Sequence, residues 1–547
     1  MSRGGLHWIL GGLVAVVAAT AAAALIGLCP PQGPWPMPPW CGADDGVAAP
    51  GLPRPTPPGT GDDRADEPVR GDGPVRVYAE IVTPDADGEV FIEVDGSIFP
   101  LERLSPITAG GHVTLSYGQS YRVSMGSTSR EGVFVGGYDA FLDDGRRTGI
   151  YPGVPHELPL PAHLLEADDL LFDHVPMTET GRPLDKGFYV GASGDAEAMR
   201  SGTFFDAARR ELPIIQETGA NWINLVPVWF FFPYDDGTYR TTSELRPMGA
   251  EEFYRQRNTG YIYPTFDDEE LKAFIRDARA MGFKIYLAPH IVPAEYGPDT
   301  LPGKALLIPD DLDEFFANYR RMIAHYAELA EETGVELLAV GVENDSLTIP
   351  DQGVYPGVDL NAHWYEIIAE ARSHFSGSLT YSAAAGDRDY SAPNQVTFWD
   401  ALDYIGFEWY LPLTDEPDTS LPELVELARE AIEDLAKPLH EQYGKPLLFT
   451  EIGFEAKPYA WTRSYEGSDV GAEFDRLAAA LSYEYVFQAI ADVDFIEGMF
   501  VWSWAPAADS ATFPVEMWWS IANPGNGVQH TIIQSQLSKW FHHHPSR

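Results

Sequence analysis

Leu447-Leu448-Phe449-Thr450-Glu451-Ile452-Gly453-Phe454 is the stretch from which the rest of the chain is best read. Three apolar residues and a threonine run straight into a carboxylate, and a glycine follows. A run without polar alternation reads as a buried parallel strand, here with a Glu at its C-terminal end. Upstream, Val335-Glu336-Leu337-Leu338-Ala339-Val340-Gly341-Val342-Glu343 has the same shape. In a (β/α)8 barrel the C-terminal strand ends form the active-site face. One strand-end Glu is as readily a solvated loop carboxylate as a working group. Two of them, in a chain with enough strands, favour function.

Outward from these two strands the chain alternates strand and helix from about Leu184. Strands are expected at 187–191, 221–229, 283–290, 335–343, 379–382, 404–410, 447–454 and 498–504. Helical apolar spacing runs over 204–218, 267–281, 312–333, 421–443 and 474–491. The helix at 267–281 opens on an acidic turn, which suits the helix dipole. Eight strands alternating with helices over about 350 residues predict a (β/α)8 TIM barrel, α/β in class, at 184–547. The sequence pattern of 74–175 differs. Val75–Val82, Val90–Val94 and Tyr121–Met125 alternate with period two and are separated by Asp-Gly and Gly-Gly turns. This predicts a small all-β, sandwich-like domain, read as a structural spacer in preference to a sugar-binding module.

The N-terminal 74 residues carry two further signals. Arg3 precedes an apolar run from Trp8 to Leu28, and the next basic residue is Arg54. Residues 1–29 are therefore expected to be a cleaved signal peptide or a membrane anchor, with the following chain outside the cytoplasm. The Ala21–Ala24 run offers small-residue cleavage sites. Lipid attachment at Cys29 is a third option, though Leu28 before it is bulky. All three readings export the protein to the cell surface or medium. Residues 30–73, rich in Pro, Gly and Asp, are expected to be an extended linker.

Composition narrows the partners. The formal net charge of the 547 residues is −46. No basic footprint exists to neutralise phosphates, which argues against nucleic acid and against docking on anionic lipid headgroups. A strongly solvated surface suited to high salt is the preferred reading of the charge. The two cysteines, Cys29 and Cys41, precede the folded part, so neither a disulfide framework nor a Cys-based zinc site is expected. There is no phosphate-cradling glycine motif and no Gly-x-Ser-x-Gly elbow, and no metal or cofactor is expected. The His542-His543-His544 run reads as a solvated tail or a weak metal contact and is given no role.

Two carboxyl groups facing each other across a barrel mouth suit glycoside hydrolysis. One protonates the departing oxygen, and the other attacks the anomeric carbon or activates water. Glu343 on strand four and Glu451 on strand seven are that pair. For retention of configuration they would stand roughly 5–5.5 Å apart. The residues alone do not say which does which.

At this point the chain resembles clan A of the retaining glycoside hydrolases. Within it the chain is most similar to family 113, whose characterised members are β-mannanases. The residues that carry the likeness are Gly219-Ala220-Asn221-Trp222-Ile223, Val340-Gly341-Val342-Glu343, Asp403-Tyr404-Ile405-Gly406-Phe407, Gly444-Lys445-Pro446-Leu447, Thr450-Glu451-Ile452-Gly453-Phe454, and the tryptophans of Gly498–Trp504. The likeness covers about 184–530 and not the β domain. Val342 stands where many clan A families have Asn, a departure compatible with family 113, and it leaves the contact to the sugar 2-hydroxyl unassigned. The resemblance implies that Glu451 is the nucleophile and Glu343 the acid/base. It also implies that Tyr410 hydrogen-bonds the nucleophile. Trp502 or Trp504 would floor the reacting-sugar subsite. Period two puts both on one face, and Trp502 is preferred. His290, Asn224, Trp229 and Trp409 are further candidates for substrate contact. Asn344 and Asp345 either tune Glu343 or cap the next segment. The expected partner is a polysaccharide or oligosaccharide, β-mannan before β-glucan or galactan. A catalytically silent glycan-binding protein is the alternative of a different class.

Overall fold

The computed structural model describes residues 75–82 and 89–150, the latter with breaks at 106–107, 117–118, 126–127, 134–138 and 144–145. It also describes 181–547, apart from 192–203, 235–237, 257–263, 295–306, 349–354, 356–357, 386–391, 418, 458, 463, 465–475, 505, 507–526 and 530–531. The expected signal or anchor and the linker lie outside the described residues. No helix among the described residues is long and apolar enough to cross a membrane.

The first part is all-β. Strands β1 (Val75–Val82), β2 (Val90–Val94), β3 (Ser97–Ser105), β4 (Thr108–Leu115), β5 (Ser120–Met125) and β6 (Thr128–Val133) form one antiparallel sheet in the order β1-β4-β3-β2-β5-β6. Strand β3 pairs β2 through Ser97–Leu101 and β4 through Glu102–Ser105. One strand thus belongs to two half-sheets, which is how sandwich corners are made. Period-two burial of Val90, Ile92 and Val94, facing Val113, Leu115, Tyr121 and Val123, gives this unit its own small core. A separate hairpin joins β7 (Asp139–Asp143) and β8 (Arg146–Ile150).

Eight parallel strands close the barrel: β9 (Asp185–Val190), β10 (Trp222–Leu225), β13 (Lys284–Leu287), β16 (Leu337–Val342), β17 (Ser378–Ala385), β18 (Ile405–Trp409), β19 (Leu447–Ile452) and β20 (Ile496–Trp504). They lie round the barrel in chain order, each on its expected stretch. The burial of β10, β16, β18 and β19 on both faces explains why they read as unbroken apolar runs. Two boundaries differ from expectation. The second and third strands were read through Trp229 and His290, but they stop before Pro227 and Pro289. Proline has no N–H for a ladder. The chain resumes as β11 (Val228–Pro233) and β14 (His290–Pro293). With β12 (Arg240–Arg246) and β15 (Ile308–Pro309) these form a four-stranded sheet, β14-β11-β12-β15, beyond the strand ends.

The helices start and stop where their caps dictate. Asp267 accepts from the N–H groups of Glu269 and Glu270 to open Asp268–Ala280, and Asp311 accepts from Glu314 N–H to open Leu312–Thr333. Gly334, at φ 72°, closes the latter in the left-handed conformation that glycine adopts without cost. Helix Leu360–His374, between the fourth and fifth barrel strands, was not anticipated. The expected 421–443 helix is one run with a π turn at Ile432–Ala436, just ahead of Pro438, which cannot donate.

The histidine run is not a solvated tail. Helix Ile532–His543 closes the N-terminal end of the barrel, and His544 behind it is buried. Its Nδ1–H donates to the Arg182 carbonyl at 2.8 Å, and the buried Lys186 ammonium donates to the carbonyls of Phe541 and His544. Asn221 belongs to this floor too, donating to Asp185 Oδ1 at 3.0 Å. That end of a barrel is where residues serve stability rather than chemistry.

Candidate active site

Glu451 reaches the mouth by way of a bulge. Across β18–β19 the register runs Phe407↔Phe449 and then Glu408↔Glu451, so Thr450 is an extra residue. In a regular strand Thr450 and Glu451 would face opposite sides. Here the Thr450 hydroxyl stands 2.7 Å from Ser382 Oγ, while Glu451 faces Tyr410 and His290. Bulges re-aim side chains in this way next to functional sites.

Two side chains face Glu451, and a third packs on one of them. Tyr410, one residue beyond β18, donates its hydroxyl to Glu451 Oε2 at 3.2 Å. His290 Nε2 lies 3.7 Å from Glu451 Oε1, and both residues are buried. The His290 ring is parallel to Trp502, with an interplanar angle of 5° and centroids 6.1 Å apart. Trp502 also packs on Tyr189 at 5.1 Å and is only half-buried. Desolvation, and then the charges of Glu451, Glu408 and Glu343, push the Tyr410 hydroxyl well above the ordinary tyrosine range. Tyr410 is therefore a neutral donor at any working pH. Glu343 is thus among the charges that act on the Tyr410 hydroxyl.

Glu343 follows directly on β16, whose register with β17 is irregular between Ala339 and Val342. Its φ is +49°, a left-handed conformation uncommon outside glycine and costly by about 1–3 kcal/mol. Neighbouring backbone bonds hold it there. Glu343 N–H donates to the Ser382 carbonyl at 2.9 Å, and Asn344 N–H donates to the Tyr381 hydroxyl at 2.8 Å. The Asn344 side chain donates to Tyr319 in the helical layer, and Asp345 begins the short helix Asp345–Thr348. These two residues fix the backbone that carries Glu343, whose side chain is half-buried at the mouth.

The remaining expected contacts divide. Asn224 is inside the barrel, in register with Tyr189 and Tyr286, fully buried and below the rim. Its amide has no hydrogen-bond partner among the described residues. Trp229 and Trp409 do not join the site. Trp229 lies on β11, beyond Pro227, with its ring 6.5 Å from Tyr326 of helix Leu312–Thr333. Trp409 shares the outward face of β18 with Phe407, and its ring lies 5.0 Å from Phe449. Period two makes Gly406, Glu408 and Tyr410 the inward set and leaves Trp409 outside. Trp502 and Trp504 separate as well, against the alternation expected. The register with β9 shifts between Val501 and Trp504, the Trp502–Ser503 peptide is cis, and Trp504 Nε1 donates outward to Glu211.

Glu408 is a third interior carboxylate that sequence reasoning passed over. It is fully buried, and its Oε1 accepts from the Ser382 hydroxyl at 2.8 Å. The signal was present: a Glu two residues before Tyr410 in an otherwise apolar strand. Among the described residues no group of three His, Cys, Asp or Glu side chains is arranged to hold a metal ion.

The chain forms a closed eight-stranded parallel barrel with carboxylates at the C-terminal ends of its fourth and seventh strands, the face on which (β/α)8 barrels carry their active sites. Residues 254–514 match the family model of Glycoside Hydrolase Family 113. Solved structures similar to it include a GH113 β-1,4-mannanase in complex, at 20% identity over 66% of this chain and 99% of that one, with a TM-score of 0.48. Another is the GH113 β-mannanase of Alicyclobacillus acidocaldarius in complex with ManMIm, at 20% identity, 66% and 97% coverage and a TM-score of 0.49. No curated protein matches.

Proposed function

We propose that this protein is an exported retaining β-glycoside hydrolase that cleaves a β-mannan-type polysaccharide. The observation that carries the reading is the setting of Glu451, which meets a neutral tyrosine hydroxyl at one oxygen and has an imidazole 3.7 Å from the other, with Glu343 among the charges that act on that tyrosine.

In this reading Glu451 attacks the anomeric carbon while Glu343 protonates the departing glycosidic oxygen. The bond to the leaving sugar breaks as the bond to Glu451 forms. Glu343, now ionised, takes a proton from water, and that water displaces Glu451 with net retention. Tyr410 holds Glu451 Oε2, so the direction of attack is fixed before substrate arrives. Trp502 offers a flat apolar face to the sugar in the reacting subsite. The family match supports glycoside hydrolysis, and mannan is the substrate the resemblance implies. Export rests on Arg3 and the apolar Trp8–Leu28 run.

The test is reducing-sugar release from mannan, glucomannan, cellulose, xylan and galactan by the protein and by Glu451→Ala. Release from mannan that vanishes in the variant is the expected result. Release from another glycan alone would keep the mechanism and discard the substrate. Silence on all five would overturn the enzyme reading and leave glycan binding as the function to measure.

A further inference from the structure

The bulge that turns Glu451 into the mouth is held by four fully buried polar side chains that the reaction itself does not use. An extra residue leaves its backbone groups out of the ladder, and a buried carbonyl without a partner is costly. Tyr189, on β9, donates its hydroxyl to the Thr450 carbonyl at 2.8 Å. The Thr450 hydroxyl meets Ser382 Oγ at 2.7 Å, and Ser382 Oγ meets Glu408 Oε1 at 2.8 Å. Ser382 has one proton for these two contacts. If it donates to Glu408, Thr450 supplies the other hydrogen bond with its own hydroxyl. Tyr189, Ser382, Glu408 and Thr450 all have 0% exposure.

The contact between Ser382 and Thr450 spans an intervening strand. Ser382 is in register with Gly406 of β18, and Gly406 with Leu448 of β19. A Cβ at Gly406 would lie 2.9 Å from Thr450 Cγ2 and 2.1 Å from the Tyr381 carbonyl oxygen. The glycine therefore opens the gap through which the two hydroxyls meet.

We propose that Tyr189, Ser382 and Glu408 are positioning residues that clamp Thr450, and that the clamp holds Glu451 in its attacking orientation. The inference rests on the reading of Glu451 as the nucleophile. It assigns to the threonine before the nucleophile a role that period-two strand geometry would not give it. Misplacing a reacting group by about 1 Å costs on the order of 100-fold in rate.

The test compares Thr450→Val, which keeps the shape and loses the hydroxyl, with Thr450→Ser, which keeps the hydroxyl. On a glycan that the wild type cleaves, kcat per folded molecule should fall about 10–100-fold in Thr450→Val, with KM within about threefold. Thr450→Ser should recover to within about threefold of wild type. A Thr450→Val protein that melts earlier but keeps its kcat would show a merely structural threonine and overturn the proposal. So would a Thr450→Ser protein no better than Thr450→Val. A crystal structure of Thr450→Val separates this from the functional reading. Glu451 should leave the Tyr410 hydroxyl. An unmoved Glu451 sinks the clamp whether or not any glycan is cleaved, whereas a displaced Glu451 in a protein whose wild type is inert keeps the clamp and rejects the glycosidase.

Discussion

One hydroxyl separates Tyr410 from phenylalanine, and its effect at this site follows from the charge it faces. A hydrogen bond to a charged group contributes about 1.5–3 kcal/mol, against roughly half that between neutral partners. On the proposed mechanism, the bond to Glu451 Oε2 would orient the attacking carboxylate without touching the distal sugars. Tyr410→Phe should therefore lower kcat about 10–100-fold and leave KM within a few-fold, read by steady-state kinetics on the cleaved glycan. An equal loss in KM at constant kcat would mean that Tyr410 binds sugar instead. Glu343 shows how far single residues were legible. Its place after an apolar run marked it as a strand-end carboxylate, but its left-handed backbone had no sequence mark. Glycine or asparagine ordinarily signals that conformation, and here Ser382 and Tyr381 on the next strand impose it.

At the scale of elements, the barrel was legible because its strands are largely buried on both faces and read as apolar runs. The departures cluster where that rule lapses. Pro227 and Pro289 cut the second and third strands short, and both prolines are plain in the sequence once the ladder's need for N–H groups is applied. The bulge at Thr450 and the shift near Trp502 left no comparable mark, because register is a property of two strands. Trp409 and Trp504 were misplaced for related reasons: an adjacent inward residue in one case, a broken alternation in the other. The closing helix was missed because a histidine run resembles a tail. Its latch predicts an acid response. Burial, together with the charges of His543, Arg182 and Lys186, lowers the His544 pKa to about 4 from the ordinary 6.5. The unfolded chain then binds more protons than the native one between those values, so stability rises with pH across the window. It is fully present above about pH 6.5 and lost progressively as pH falls towards 4. Protonation would charge Nε2, which is buried with no hydrogen-bond partner among the described residues. His544→Asn retains a donor near the Nδ1 position and cannot take that charge. Its melting temperature should drop less than the wild type's between pH 7 and pH 4.5. Equal drops would place the acid lability elsewhere.

The whole molecule carries 82 Asp and Glu against 36 Lys and Arg, so even complete pairing of the basic residues would leave a net charge of −46. Some of the basic residues tie helices together. Lys272 and Arg276 both reach Glu332, at 2.7 and 3.0 Å, and Arg279 reaches Glu336 at 2.8 Å, which links helix Asp268–Ala280 to the Leu312–Thr333 helix and its following strand. Salt weakens such exposed pairs, each worth about 0–1 kcal/mol. It also screens the repulsion among the unmatched carboxylates, which opposes the compact state. The second effect should win, because unmatched acids outnumber the basic residues. The Debye length shrinks from more than about 10 Å below 0.1 M salt to about 3 Å at 1 M, so most of the relief should come early and then level off. The melting temperature should climb by at least about 3 °C between 0.05 and 1 M NaCl, steeply at first, as scanning calorimetry would record. A rise that stays linear to high salt would point instead to exclusion of the salt from apolar surface. A flat or falling curve would mean that the ion pairs between helices outweigh the excess charge.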